Sequence, residues 1–193
     1  SGQIKDLDQF FNAGAYSRVS DRRAPHNVYT SAQKLQTLNE KKGYTSSNFT
    51  PWKRKTKETP NKTPTATTIT VPVSTGSFAV SYTWDSATNT YKRSQAGAPH
   101  LDREKGQIAP KVVVVAQVPH DVIRESNGFT YPDVIGKGKA WIFQNGVISE
   151  ATWAKASDKD QIMFTDAAGK NVEFNPGQLW LSAIRPDRTP SWQ

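Results

Sequence analysis

The apolar positions of this chain change period near residue 69. Before it, short runs recur at helical spacing; after it, strict alternation takes over. Ile4, Leu7, Phe10 and Phe11 predict an amphipathic helix over 4–15, ended by Gly14. A second helix starts at Thr30 or Ser31, whose hydroxyl can satisfy a free first-turn N–H. It carries Leu35 and Leu38, places Lys41 and Lys42 at the negative end of its dipole, and stops at Gly43. Residues 44–68 mix Pro51, Pro60 and Pro64 with Thr, Lys and Asn, and read as a linker or extended strap anchored by Phe49 and Trp52. Beyond it, Ile69, Val71 and Val73 alternate, then Phe78, Val80, Tyr82 and Trp84. A turn over 85–90 and a return strand from Tyr91 complete a hairpin.

The unbroken β-branched run over 111–118 predicts a central strand buried on both faces. Asn145-Gly146 marks a type I′ turn within a hairpin over 141–148. A further hairpin is expected with arms 162–164 and 172–174, a last strand over 178–184, and a polar tail from 185 to 193. The fold class is therefore α+β, mostly β: an antiparallel or mixed sheet domain of about six to eight strands, preceded by a short helical segment. The expected divisions are a helical piece (1–43), the strap (44–68) and the β-rich domain (69–193).

Composition sharpens this picture at three points. Six Trp, six Tyr and eight Phe can build a core, while the longest apolar run, 112–116, is far short of the ~20 residues of a spanning helix. The chain contains no basic-then-apolar signal segment. The absence of Cys excludes disulfides, thiolate metal sites and Cys nucleophiles in this chain. The net charge of +8 is unevenly placed: residues 1–68 hold 12 Lys and Arg against 5 Asp and Glu, residues 69–193 hold 13 against 12. A basic segment joined to a nearly neutral domain suits an anionic polymer or membrane surface, or serves only solubility.

Candidate chemistry gathers on two similar stretches, 91–102 (YKRSQAGAPHLD) and 16–27 (YSRVSDRRAPHN). Each runs from Tyr through Arg to Ala-Pro-His and ends on Asp or Asn. Pro fixes its own φ and biases its neighbour to extended backbone, so each imidazole is expected on a stiff, non-helical loop. If the loops meet, His26, His100 and Asp102 offer ligands for a divalent metal or an acid–base pair. The alternative is that each His bonds a backbone carbonyl and pins its loop; this reading extends to His120, the third and last histidine. Arg18, Arg22, Arg23, Arg93 and Arg103, with Asn27, would hold an anionic ligand, or would pair internally with Asp21 and Asp102. Trp52 with Lys53, Arg54, Lys55 and Lys57 mixes aromatic and basic groups as single-strand nucleic-acid binders do, but no nucleic-acid fold signature accompanies it. The segment 136–139 lacks phosphate-loop spacing and reads as a strand-entry turn.

The segments DRRAPHNVYTS, YKRSQAGAPHLD, KVVVVAQV, GKGKAWIFQNGVISEATW and NPGQLWLSAI resemble, in order, the YerB-like family of presumed bacterial lipoproteins of unknown function. The resemblance covers most of residues 16–184. It implies an extracytoplasmic protein tethered to the membrane, with a signal peptide, a lipidated Cys and a larger N-terminal domain outside this sequence. It supplies no reaction and no catalytic residue. The leading expectation is a cell-envelope binding or scaffold module whose partner is a wall polymer or envelope protein, with His26, Arg93, His100 and Asp102 lining its groove. The alternatives are an envelope-polymer hydrolase or transferase using His26 and His100, and nucleic-acid binding through the basic first third.

Overall fold

The computed structural model describes residues 6–46, 49–74, 76–121 and 131–193. The chain divides into two compact units, Ser1–Phe49 and Thr50–Gln193.

In the first unit the predicted helix over 4–15 does not form within the described residues; Ile4 lies outside them. The Asp8 carboxylate accepts hydrogen bonds from the backbone N–H of Phe10 (2.7 Å) and Phe11 (3.2 Å). Such local side-chain bonds offer the backbone an alternative to helix. Only a 3₁₀ turn, Ala13–Ala15, remains, and Phe10 and Phe11 are each 81% exposed. The antiparallel pair Ser17–Arg18 and Val28–Tyr29 frames the first Ala-Pro-His loop. Helix α1 (Ala32–Lys41) follows as expected: Ser31 caps it by accepting from Lys34 N–H, and Lys41 lies in its last turn. Gly43 continues at φ +70°, where a side chain is disfavoured.

The second unit is built on two five-stranded sheets. The first contains β1 (Thr68–Val71), β2 (Val80–Asp85), β3 (Thr90–Gln95) and β4 (Ala98–Pro99). The second contains β5 (Val112–Gln117), β6 (Gly136–Gln144), β7 (Val147–Lys155), β8 (Met163–Thr165) and β9 (Leu179–Ile184). Strand β10 (Ser191–Trp192) returns to the first sheet, so the orders are β10-β1-β2-β3-β4 and β8-β7-β6-β5-β9. All pairs are antiparallel except β9 with β5.

The alternation explains the packing. Ile69, Val71, Val80, Tyr82 and Tyr91 on one sheet meet Val113, Val115, Trp141, Phe143 and Ile184 on the other. The opposite face of the second sheet presents Val112, Val114, Ala116, Ile142, Trp153 and Phe164, and is covered by Phe174 and Trp52. Strand β5 is thus buried on both faces, as its β-branched run requires. Asn145 (φ +61°) and Gly146 (φ +78°) make the predicted turn between β6 and β7.

Three expectations about local structure are corrected. Phe78 does not continue the β2 alternation; it lies in a 3₁₀ turn and is 61% exposed. The arm 172–174 does not complete its hairpin beyond an isolated bridge. Phe174 instead pairs in parallel with the 50–57 strap, with Lys55 N–H to Phe174 O and Phe174 N–H to Lys53 O. The tail is not merely polar: β10 pairs with β1, and Trp192 stands edge-on to Phe143 at 5.7 Å.

Candidate functional site: a buried arginine beside an open strand edge

Strand β3 turns back on itself at Ala96 (φ +52°) and Gly97 (φ +78°), and β4 returns beside it. The N–H of His100 then donates to Arg93 O, and Gln107 Nε2 donates to the same carbonyl. That register sets the His100 imidazole beside the Arg93 side chain. The alternation of β3 points Arg93 towards the second sheet, where it is only 5% exposed. Its guanidinium lies over the Trp180 ring, 4.3 Å from the ring centre, and the His100 ring stands edge-on to the same indole at 6.0 Å. Arg93 Nη1 donates to Gln95 Oε1 (3.1 Å) and to His100 Nδ1.

This geometry assigns the histidine tautomer. A guanidinium only donates, so His100 Nδ1 must accept and the ring is neutral with its proton on Nε2. Burial, and then the Arg93 charge, hold its pKa below the ordinary histidine value. The Arg93 Nε is enclosed with no hydrogen-bond partner. The Tyr82 hydroxyl is enclosed nearby, facing Arg93 and Ser182 without a well-formed hydrogen bond, and its pKa is raised chiefly by burial. Among the described residues no carboxylate pairs with Arg93; its contacts are two neutral acceptors and an aromatic face. A buried cation without an anion is costly. Arg93 also lines a groove of about 300 Å³, whose other walls include Val73, Phe78, Trp180, Leu181 and Ser182.

The remaining predicted residues divide between the units. Arg93, His100, Asp102 and Arg103 lie on the β-rich unit; Arg18, Arg22, Arg23, His26 and Asn27 lie on the first. The Asp102 carboxylate accepts from the N–H groups of Glu104 and Lys105, which hold its pKa down, and so caps its own turn. Arg103 is exposed. In the first unit, Arg18 Nη1 donates to Asn27 Oδ1 (2.8 Å), and Asn27 Nδ2 donates to Val19 O. Arg22, Arg23 and His26 are exposed, and the Ala24–Pro25 peptide is cis. The two Ala-Pro-His stretches thus differ in structure: one is a cis-proline turn, the other the return strand of a hairpin. Among the described residues no three His, Asp or Glu side chains gather to hold a metal. His120 Nδ1 bonds Val118 O at 2.6 Å and pins its own segment.

Sequence reasoning gave Trp180 and Ser182, which alternate with Ile184 on β9, no role beyond the last strand. The aromatic-basic strap, read as anchored through Trp52, packs onto the second sheet. The Trp52 indole N–H donates to Ile162 O, and its ring packs edge-on to Phe164 and Phe174. Arg54 donates to Asn175 O, Lys55 to Asn175 Oδ1, and burial pushes the Lys55 amine pKa down against the pull of Glu173. These groups hold the strap to the sheet.

Comparison with known proteins places this architecture. Residues 69–181 match the family model described as the C-terminal domain of a protein of unknown function (DUF3048). YerB of Bacillus subtilis (strain 168), named as a presumed lipoprotein, is 27% identical over 186 residues. That alignment covers 92% of this chain and 53% of the relative, so the chain spans about half the relative's length. The crystal structure of the YerB protein from Bacillus subtilis superposes with a TM-score of 0.74 at 26% identity, over 92% of this chain and 59% of that one.

Proposed function

The chain belongs to the DUF3048 family, and from that premise we propose that it is an extracytoplasmic binding module of a membrane-tethered envelope protein, holding an anionic group of its ligand at Arg93. The likeness to a relative named as a presumed lipoprotein supports the location. The observation that carries the binding role is the Arg93 guanidinium: buried, in contact with Trp180 and His100, and paired with no carboxylate among the described residues. A carboxylate or phosphate entering the groove would neutralise it through the paired donors that suit arginine to such groups. His100 acts by orientation: its Nδ1 is committed to Arg93, which leaves Nε2–H as a donor rather than a base.

The test is retention of the purified protein on isolated bacterial wall material, together with crosslinking in envelope fractions, for the natural chain and Arg93→Gln. Retention or a crosslinked partner that the variant loses at least tenfold is the expected result. If neither wall material nor an envelope partner engages the natural chain, the reading fails.

A further inference from the structure

We infer that the groove takes an extended peptide that adds as a strand to the free edge of β9 and places an Asp or Glu side chain at Arg93. This rests on the reading of Arg93 as an anion site and names the ligand's chemistry. Among the described residues strand β9 is the last strand of its sheet, joined to β5 on one side only. Val112 N–H donates to Gln178 O and Val118 N–H to Ile184 O, so those carbonyls turn towards β5. Backbone direction alternates along a strand. Trp180 and Ser182 therefore also turn inward, and Leu179, Leu181 and Ala183 turn their N–H and C=O groups outward. Among the described residues no strand pairs with that edge.

The groove follows this edge, since consecutive residues 180–183 all line it. A row of alternate main-chain donors and acceptors specifies an extended backbone, and the neighbouring wall selects its side chains. Here the wall is apolar at Val73 and Phe78, cationic at Arg93, and contains no carboxylate among its lining residues. Arg188 donates to the carbonyls of Pro72 and Val73, the second of these a residue of the groove wall. The complementary segment is therefore apolar, extended and acidic. Exposed edges of this kind are ordinarily blunted by Lys, Pro or a bulge; Leu179–Ile184 carries none of these.

The probe is a fluorescein-labelled peptide, acetyl-Val-Thr-Val-Asp-Val-Thr-Val-amide, with its Lys-for-Asp counterpart and two N-methylated forms, methylated at odd or at even positions. The Asp peptide is expected to bind at least tenfold more tightly than the Lys peptide. One N-methylated form should lose binding at least tenfold while the other keeps it, because only alternate amides face the edge. Leu181→Pro removes an outward N–H, a position where an edge strand tolerates proline, and should abolish binding without shifting the unfolding midpoint. If that variant does not fold, the methylated pair still decides, since the protein is unaltered. Equal binding of both methylated forms, no preference for Asp, or no binding overturns the inference. So does a dimer in sedimentation that Leu181→Pro dissociates, which would give the edge to a second copy. Failure of the peptides alongside Arg93-dependent retention on wall material would remove only the strand-edge inference; loss of both would remove the anion site as well.

Discussion

At the scale of single residues, Arg93 and His100 are tied by a bond that fixes the proton on the far nitrogen of the imidazole. That bond carries a pH dependence whose sign follows from the depressed His100 pKa. The unfolded chain binds a proton on this ring near the ordinary value of about 6.5, the folded chain only at lower pH. Stability from this residue is therefore complete above about pH 6.5 and is lost as pH falls below it. Urea unfolding at pH 7.5 and 5.5 should show the natural protein weakening at the lower pH. His100→Asn keeps an acceptor for Arg93 but cannot titrate, and should weaken less; an equal loss in both proteins would refute the assignment. Arg93→Met is expected to leave stability nearly unchanged or to raise it, because it removes an unpaired buried charge while keeping contact with Trp180. A loss above about 3 kcal/mol in the same assay would mean that the guanidinium is chiefly structural.

At the scale of elements, the strap and the β6–β7 turn make separate demands. Trp52 covers the outer face of the second sheet and donates to Ile162 O, so Trp52→Ala should cost about 3 kcal/mol. Trp52→Phe, which loses mainly the hydrogen bond, should cost about 1 kcal/mol; chemical denaturation separates the two. Gly146 sits at φ +78°, where an added Cβ would lie 3.0 Å from Pro64 and from the Trp84 ring. Its N–H donates to the Tyr91 hydroxyl, whose pKa burial drives upward. Gly146→Ala should therefore destabilise by about 1–2 kcal/mol or more, read as a lower urea midpoint with an unchanged slope.

At the scale of the whole molecule, the contact boundary falls between Phe49 and Thr50, whereas the change in hydrophobic period falls near residue 69. The intervening residues explain the difference. Trp52, Arg54 and Lys55 bind the second sheet, and Thr65 and Ala66 donate to Gly146 O. A fragment of residues 50–193 should unfold in one cooperative transition. A fragment starting at 69 exposes Phe164 and Phe174 and should melt lower by at least 5 °C or fail to fold, as scanning calorimetry would show.

The main strands, the burial of β5 on both faces, the Asn145-Gly146 turn and the cap of α1 were legible in the residues because each depends on neighbours close in sequence: side-chain period, turn conformation, a hydroxyl three residues from its N–H. Reading 4–15 as a helix failed where Asp8 offered the backbone a local competitor. Tertiary structure alone decided that Arg93 lies over Trp180, that the tail returns to the first sheet, and that among the described residues β9 is the last strand of its sheet. Those outcomes depend on which strands become neighbours, and the pairing of segments far apart in the chain, such as Leu179 with Val112 and Ser191 with Thr70, leaves no trace in local periodicity.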